Sequence, residues 1–234
     1  MKPANPLIVA LDLPEWEGLE SVAHALRGEV DTVKVGLEAY SALGPRVIDF
    51  LKGLGYQVFV DLKLHDIPRT VGRSVIALVE RGADLLTLHC LGGSAMLRAA
   101  REARDAAAGE SGTRLLGVTI LTSLGAGDLE EIGLPPGVEG EVLRLGGMAD
   151  RAGLDGVVAS ARELAGLRGL LGQEAIIVVP GIRPAGAAAG DQVRVETPAT
   201  ALARGATYIV MGRPILEAAD PALKAREILA GIIG

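Results

Sequence analysis

Short apolar runs and longer amphipathic stretches alternate along this chain from end to end. The apolar runs are Leu7 to Leu11, Thr32 to Val35, Val58 to Val60, Leu85 to Leu88, Leu115 to Ile120, Gly156 to Ala159, Ile176 to Val179 and Tyr208 to Met211. They are short, and the third, approached through Tyr56 and Gln57, is β-branched and aromatic, which is how an inner strand of a parallel sheet reads. Between them lie segments with helical spacing: Glu15 to Leu26, Ala39 to Leu54, Thr70 to Arg81, Ser94 to Ala107, Glu141 to Ala152, Ala161 to Leu171, Pro198 to Arg204 and Pro221 to Leu229. Several end in stop signals, with glycine behind a basic last turn, as at Arg27-Gly28, Arg81-Gly82-Ala83 and Arg204-Gly205-Ala206. Eight strand-helix units in 234 residues predict an α/β fold of the single-domain (β/α)8 TIM barrel type, for which about 250 residues is usual. A doubly wound open sheet is the alternative. Only Leu124 to Gly140 reads as a longer insertion, and no linker rich in Pro, Ser or charge divides residues 1–234 into separate domains.

A barrel of this kind carries its chemistry at the C-terminal ends of the strands. The sequence puts polar residues there run after run: Asp12, Lys34, Asp61 with Lys63, His89, Thr119 with Thr122 and Ser123, Ser160, Arg183 and Arg213. The densest stretch is Asp61 to Val71, which reads Asp-Leu-Lys-Leu-His-Asp-Ile-Pro-Arg-Thr-Val and follows the buried-strand pattern of Tyr56 to Val60. On a strand, Asp61 and Lys63 share one face while Leu62 and Leu64 take the other. Asp66 and Thr70 then fall in a loop beyond the strand. A surface salt-bridge cluster is the competing reading and would contribute little stability. The buried strand leading into the charges favours a site. Lys34 adds a second ammonium at the neighbouring strand end, so carboxylates and lysines are expected to alternate across the barrel mouth. A lysine held between carboxylates stays charged, which suits electrostatic stabilisation and proton donation and disfavours Schiff-base chemistry.

The last two strand ends look like a phosphate site. Val179-Pro180-Gly181-Ile182-Arg183 and Met211-Gly212-Arg213-Pro214 each pair a glycine, for close backbone approach, with an arginine, for forked hydrogen bonds. The loops after strands seven and eight are the usual phosphate position in such barrels. The small-residue run Gly186 to Gly190 before Gln192 suits a flap over a ligand. Asp84 and Asp155 precede their strands, at the opposite rim, where stability is the expected role. His24 is placed on a helix surface, His65 orients a loop, and His89 is a candidate for ordering the site. No grouping of Asp and His has a recognised metal-ligand spacing, so no metal is expected.

Composition narrows the partners. Lys and Arg number 23 and Asp and Glu 29, a net charge of −6, which argues against a general nucleic-acid or anionic-membrane surface and leaves any phosphate to be caught locally. Trp16 and a handful of other aromatics offer no stacking platform for single strands. A single cysteine, Cys90, excludes an intrachain disulfide and fits a reducing compartment. The first residues run directly into a strand-like segment, without a signal-peptide core, and no apolar run is long enough to span a membrane. A soluble, cytoplasmic protein is expected.

With these residues in view, the whole chain resembles the orotidine 5′-phosphate decarboxylase family in its bacterial form. The resemblance rests on Ala10-Leu11-Asp12, Val33-Lys34-Val35-Gly36, the Asp61 to Thr70 block, Val118 to Ser123, Gly153 to Val158, Pro180 to Pro184, Gly190-Asp191-Gln192 and Gly212-Arg213-Pro214. It implies cofactor-free decarboxylation of orotidine 5′-monophosphate to UMP. Lys63 would donate the proton, and Lys34, Asp61, Lys63 and Asp66 would form a charged tetrad. Asp12 and Lys34 would hold the ribose hydroxyls, Thr122 and Ser123 the pyrimidine region, and Pro180, Arg183, Gln192, Gly212 and Arg213 would surround the phosphate end. The resemblance also implies a homodimer, with Asp66, Ile67 and Thr70 reaching into the partner's site. Arg69 departs from the asparagine many relatives carry before the threonine, and the Pro184 to Gly190 stretch is richer in alanine than usual. Two other readings stay open. Magnesium-dependent sugar-phosphate relatives share the Asp-x-Lys-x-x-Asp pattern, and a non-catalytic nucleotide-binding protein could use the same scaffold.

Overall fold

The computed structural model describes residues 3–108, 112–183 and 196–233. Strands β1 (Leu7–Ala10), β2 (Thr32–Gly36), β3 (Gln57–Leu64), β4 (Leu85–His89), β5 (Arg114–Val118), β6 (Gly156–Val158), β7 (Ile176–Val179) and β8 (Tyr208–Met211) pair in parallel and in chain order. The β8 strand pairs back onto β1, so the sheet closes into an eight-stranded barrel and the open-sheet alternative falls. Around it run helices α1 (Trp16–Ala25), α2 (Leu37–Leu43), α3 (Arg46–Gly53), α4 (Pro68–Glu80), α5 (Gly93–Ala108), α6 (Ala126–Glu131), α7 (Val138–Arg151), α8 (Leu164–Leu171), α9 (Pro198–Ala203), α10 (Arg213–Leu216) and α11 (Pro221–Ile233). Among the described residues no helix is long and apolar enough to cross a membrane.

The two-residue period of the strands sorts side chains into two layers. Leu7, Val9, Val33, Val35, Val58 and Val60 face outward into the core shared with the helices. Ile8, Ala10, Phe59, Leu85, Leu116, Val178 and Val210 fill the barrel interior. The interior packing stops near the level at which Ala10 pairs with Lys34 and Lys34 with Phe59. One step further along the same inward face, Gly36 pairs with Asp61. Charge therefore begins where the apolar plug ends.

Four local readings need correction. The segment from Ala39 to Leu54 is two helices, because Gly44 turns with φ +70 and Pro45, lacking an N–H, starts a new helix instead of extending the old one. The insertion between β5 and α7 contains the short helix α6. The third strand runs on to Leu64, through residues expected at its end. Thr70 lies inside α4, not in a loop, since Pro68 occupies the first helical turn, where its fixed φ is favourable.

The lower rim carries the structural charges, as expected. Asp84 accepts hydrogen bonds from Lys52 Nζ and the Val58 N–H, both at 2.7 Å. Asp155 accepts from Arg104 and the Leu115 N–H at 2.8 Å and from Arg114 at 3.1 Å. Arg168 donates to the carbonyls of Gly205 and Ala175 and to the Thr207 hydroxyl at 2.7–2.9 Å, pinning the starts of β7 and β8. Those two strands deliver the arginines of the upper rim.

Candidate active site

At the C-terminal mouth the first three strands supply an alternating row of charge. Lys34 Nζ lies 3.0 Å from Asp12 Oδ1 and 3.8 Å from Asp61 Oδ2, and Lys63 Nζ lies 3.0 Å from Asp61 Oδ1. The middle of the row is the most enclosed: the side chains of Lys34 and Asp61 are 10% and 14% exposed, against 41% for Asp12. Reduced access of water there makes each charge act more strongly on a bound molecule. Gly36 provides the room, because a Cβ at that position would lie 2.6 Å from Lys34 Nζ and 2.8 Å from Asp12 Oδ1.

Asp61 and Lys63 meet as the two-residue spacing predicts, but not on a regular strand. Val60 pairs with Leu86 and Leu64 with Leu88, so β3 advances four residues where β4 advances two. The surplus is taken up in a bulge in which Lys63 adopts φ +51. Leu62 and Leu64 still pack outward onto the core. Thr87 on β4 bonds to both ends of the pair: its hydroxyl accepts from the Lys63 N–H at 2.8 Å and donates to Asp61 Oδ1 at 3.0 Å.

Two adjoining cavities flank the row. One, of about 560 Å³, is lined by Asp12, Lys34, Pro180, Arg183, Gly212 and Arg213 among others. The second, of about 230 Å³, has Lys34, Asp61, Lys63, Thr122 and Ser123 on its polar wall and Phe59, Val178 and Val210 as apolar floor. Lys34, Pro180 and Val210 border both, so they form one elongated cleft. Its wide end is lined by two arginines, and its narrow end is a ring-sized apolar slot beside the charged row. A cavity of about 590 Å³ also opens at the lower rim, but Asp84, Asp155 and Arg114 in its lining are engaged in the ion pairs and hydrogen bonds that tie the strands together.

The remaining predicted positions divide. Asp66, Ile67 and Thr70 lie on an exposed stretch that runs from the end of β3 into the first turn of α4, and Asp66 Oδ1 accepts from the Ile67 N–H at 2.6 Å. Gln192 and the stretch from Pro184 to Gly190 lie outside the described residues. Thr119 and Ser160 are spent on backbone, Thr119 donating to the Val158 carbonyl and Ser160 capping the helical turn at Ala161. His89 is held neutral: burial first, then the nearby His65 and the Lys63 charge, push it down to about 4, and its Nδ1 accepts from the Leu91 N–H. The His65 ring stacks on it at 5.5 Å. Glu38, which lines the wide cavity, the apolar floor and Thr87 are not among the expected site residues. Thr87 carried a signal, as the one polar residue inside the run Leu85-Leu86-Thr87-Leu88.

Residues 5–228 match the family described as orotidine 5′-phosphate decarboxylase / HUMPS. The chain belongs to this family. It is 47% identical over 232 residues to the orotidine 5′-phosphate decarboxylase of Anaeromyxobacter dehalogenans, covering 99% of this chain and all of that one. It is 46% identical to the protein of the same name from Moorella thermoacetica, covering 99% of this chain and 94% of that one. The crystal structure of orotidine 5′-phosphate decarboxylase from Lactobacillus acidophilus superimposes with a TM-score of 0.86 at 38% identity, covering 98% of this chain and all of that one.

Proposed function

We propose that this protein decarboxylates orotidine 5′-monophosphate to UMP and CO2, the last step of de novo UMP synthesis, in the cytoplasm and without metal or cofactor. The observation that carries this reading is the unbroken row Asp12, Lys34, Asp61, Lys63 along a cleft with an arginine-rich wide end and a ring-sized narrow end. A nucleoside monophosphate matches both ends: the phosphate goes to Arg183 and Arg213, with Pro180 and Gly212 alongside and Gln192 completing the shell. The ribose hydroxyls go to Asp12 and Lys34, and the pyrimidine goes to the slot beside Thr122 and Ser123.

Breaking the bond from C6 to the carboxylate leaves its electron pair in an in-plane sp2 orbital that the ring π system cannot spread. Stabilisation must then come from the surroundings. The Lys63 ammonium, fixed by Asp61, lies beside the developing carbanion, lowers its energy and then protonates C6, after which Lys63 regains a proton from solvent. Phosphate contacts far from C6 hold the ring against the row, so that remote binding energy lowers the chemical barrier.

The exposed stretch with Asp66, Ile67 and Thr70 supports a homodimer in which these three residues of each protomer complete the other's site, Asp66 filling the fourth place of the charged tetrad. Ile67, 66% exposed, leaves a large apolar side chain available to such an interface. The test is conversion of orotidine 5′-monophosphate to UMP by purified protein in excess EDTA, with the mass in solution measured alongside. Turnover by a particle of twice the chain mass is expected. UMP binding without turnover would point to a nucleotide-binding protein, and neither turnover nor UMP binding to the magnesium-dependent sugar-phosphate relatives.

Gly36→Ala separates site from scaffold. The atoms a new Cβ would meet are the tips of flexible side chains, which can move aside. Unfolding free energy should therefore stay within about 1 kcal/mol of wild type, as for substitutions that leave the core intact. The displaced Lys34 and Asp12 should cost about tenfold or more in kcat/KM, because an ångström of misplacement is expensive in catalysis. Thermal melts beside steady-state kinetics give both numbers, and equal losses in the two would refute this division.

A further inference from the structure

Lys63 is the single non-glycine residue with positive φ among the described residues, at +51. For a lysine this backbone state costs about 1–2 kcal/mol, so the surroundings must impose it. The β3–β4 ladder is interrupted across the same residues, between Val60 and Leu64. Thr87, fully buried, stands opposite the interruption. Its one hydroxyl takes the Lys63 N–H and gives its proton to Asp61 Oδ1, at 2.8 and 3.0 Å. The backbone of the proton donor and the carboxylate that fixes its ammonium are thus referenced to a single atom on the neighbouring strand.

We propose that Thr87 is a positioning residue for the reaction, holding Lys63 in its left-handed conformation and Asp61 in line with the Lys63 ammonium. This rests on the decarboxylase reading above. The alternative is that the hydroxyl merely satisfies buried polar groups, in which case its loss would lower stability and leave the chemistry of the folded fraction unchanged. The difference is measurable, because Asp61 and Lys63 act on the carbanion more than on the bound ground state. A positioning role shows in kcat, and a packing role does not.

The experiment compares Thr87→Val, which keeps the shape and removes the hydroxyl, with Thr87→Ser, which keeps the hydroxyl. Thr87→Val is expected to lose on the order of 10- to 100-fold in kcat while its KM and its affinity for UMP stay within about threefold of wild type. Thr87→Ser is expected to stay within about threefold in all of these. If the valine variant fails to fold, Thr87→Ala against Thr87→Ser repeats the comparison, again differing by the hydroxyl alone. Unchanged kcat in the variant without a hydroxyl, or an equal fall in the serine variant, overturns the proposal. A crystal structure of Thr87→Val reads the same question independently of turnover. Lys63 leaving positive φ, or its ammonium leaving Asp61, supports the proposal, and an unmoved pair refutes it. Should wild type itself fail to decarboxylate, the functional reading falls, and the crystal structure still decides whether Thr87 sets the geometry.

Discussion

Lys63→Ala is expected to abolish nearly all decarboxylation, lowering kcat/KM for orotidine 5′-monophosphate by about 10⁴-fold or more, since one substitution removes both a proton donor and the charge nearest the carbanion. The side chain ends 3.0 Å from Asp61 and lines the narrow end of the cleft, remote from the two arginines. Affinity for UMP should accordingly survive to within about tenfold, because the product has no negative charge at C6 for the ammonium to meet. Alanine also accepts the left-handed backbone no better than lysine, so the stability of the variant should be close to wild type. Single-turnover kinetics with UMP titration by calorimetry test this directly. A fall of less than about a hundredfold in kcat/KM would remove Lys63 from the proton-donor role.

The second large effect lies at the opposite end of the cleft. Arg213→Ala should reduce kcat/KM by roughly 10²- to 10³-fold, the range for truncating one side of a charge-assisted, hydrogen-bonded pair. Arg213 opens α10 directly behind Gly212 and lines the wide cavity together with Arg183. Its contribution should be felt only through the phosphate, whose binding energy is used in lowering the barrier at a distance. The control is therefore orotidine, which lacks the phosphate: wild type and Arg213→Ala should turn it over at the same low rate. A variant that is equally deficient on both substrates would place Arg213 in the chemistry instead of in phosphate binding.

How much of this was legible in the sequence depended on whether a feature was local. The strands could be read because their Val, Ile and Leu runs are bounded by Gly, Asp and Pro, and burial on both faces leaves no other use for such runs. Asp12, Lys34, Asp61, Lys63, Thr122, Ser123, Pro180, Arg183, Gly212 and Arg213 could be placed because a barrel collects the ends of its strands at one mouth. The bulge in β3 could not, since Asp61-Leu62-Lys63-Leu64 alternates as a regular strand would and the surplus shows only against β4. Nor could the double role of Thr87, which depends on that bulge. Gly44-Pro45 is a break signal that the apolar spacing continuing on either side masks. Asp66 shares the row's motif but lies on the exposed link between the end of β3 at Leu64 and the start of α4 at Pro68.

The charged row belongs to β1, β2 and β3, whereas the arginines follow β7 and β8. Laid out as an open sheet, the first and last strands would be separated by roughly 34 Å, several times the length of a nucleotide's reach from phosphate to ring edge. The ladder of Leu7 with Ile209, Ile8 with Val210 and Val9 with Met211 turns this span into direct adjacency. On the proposed function those three backbone pairings, lined by nothing but apolar side chains, are as much a part of catalysis as the lysines. On that same proposed function they also leave recognition and bond breaking on separate arcs of the ring, free to be altered one at a time.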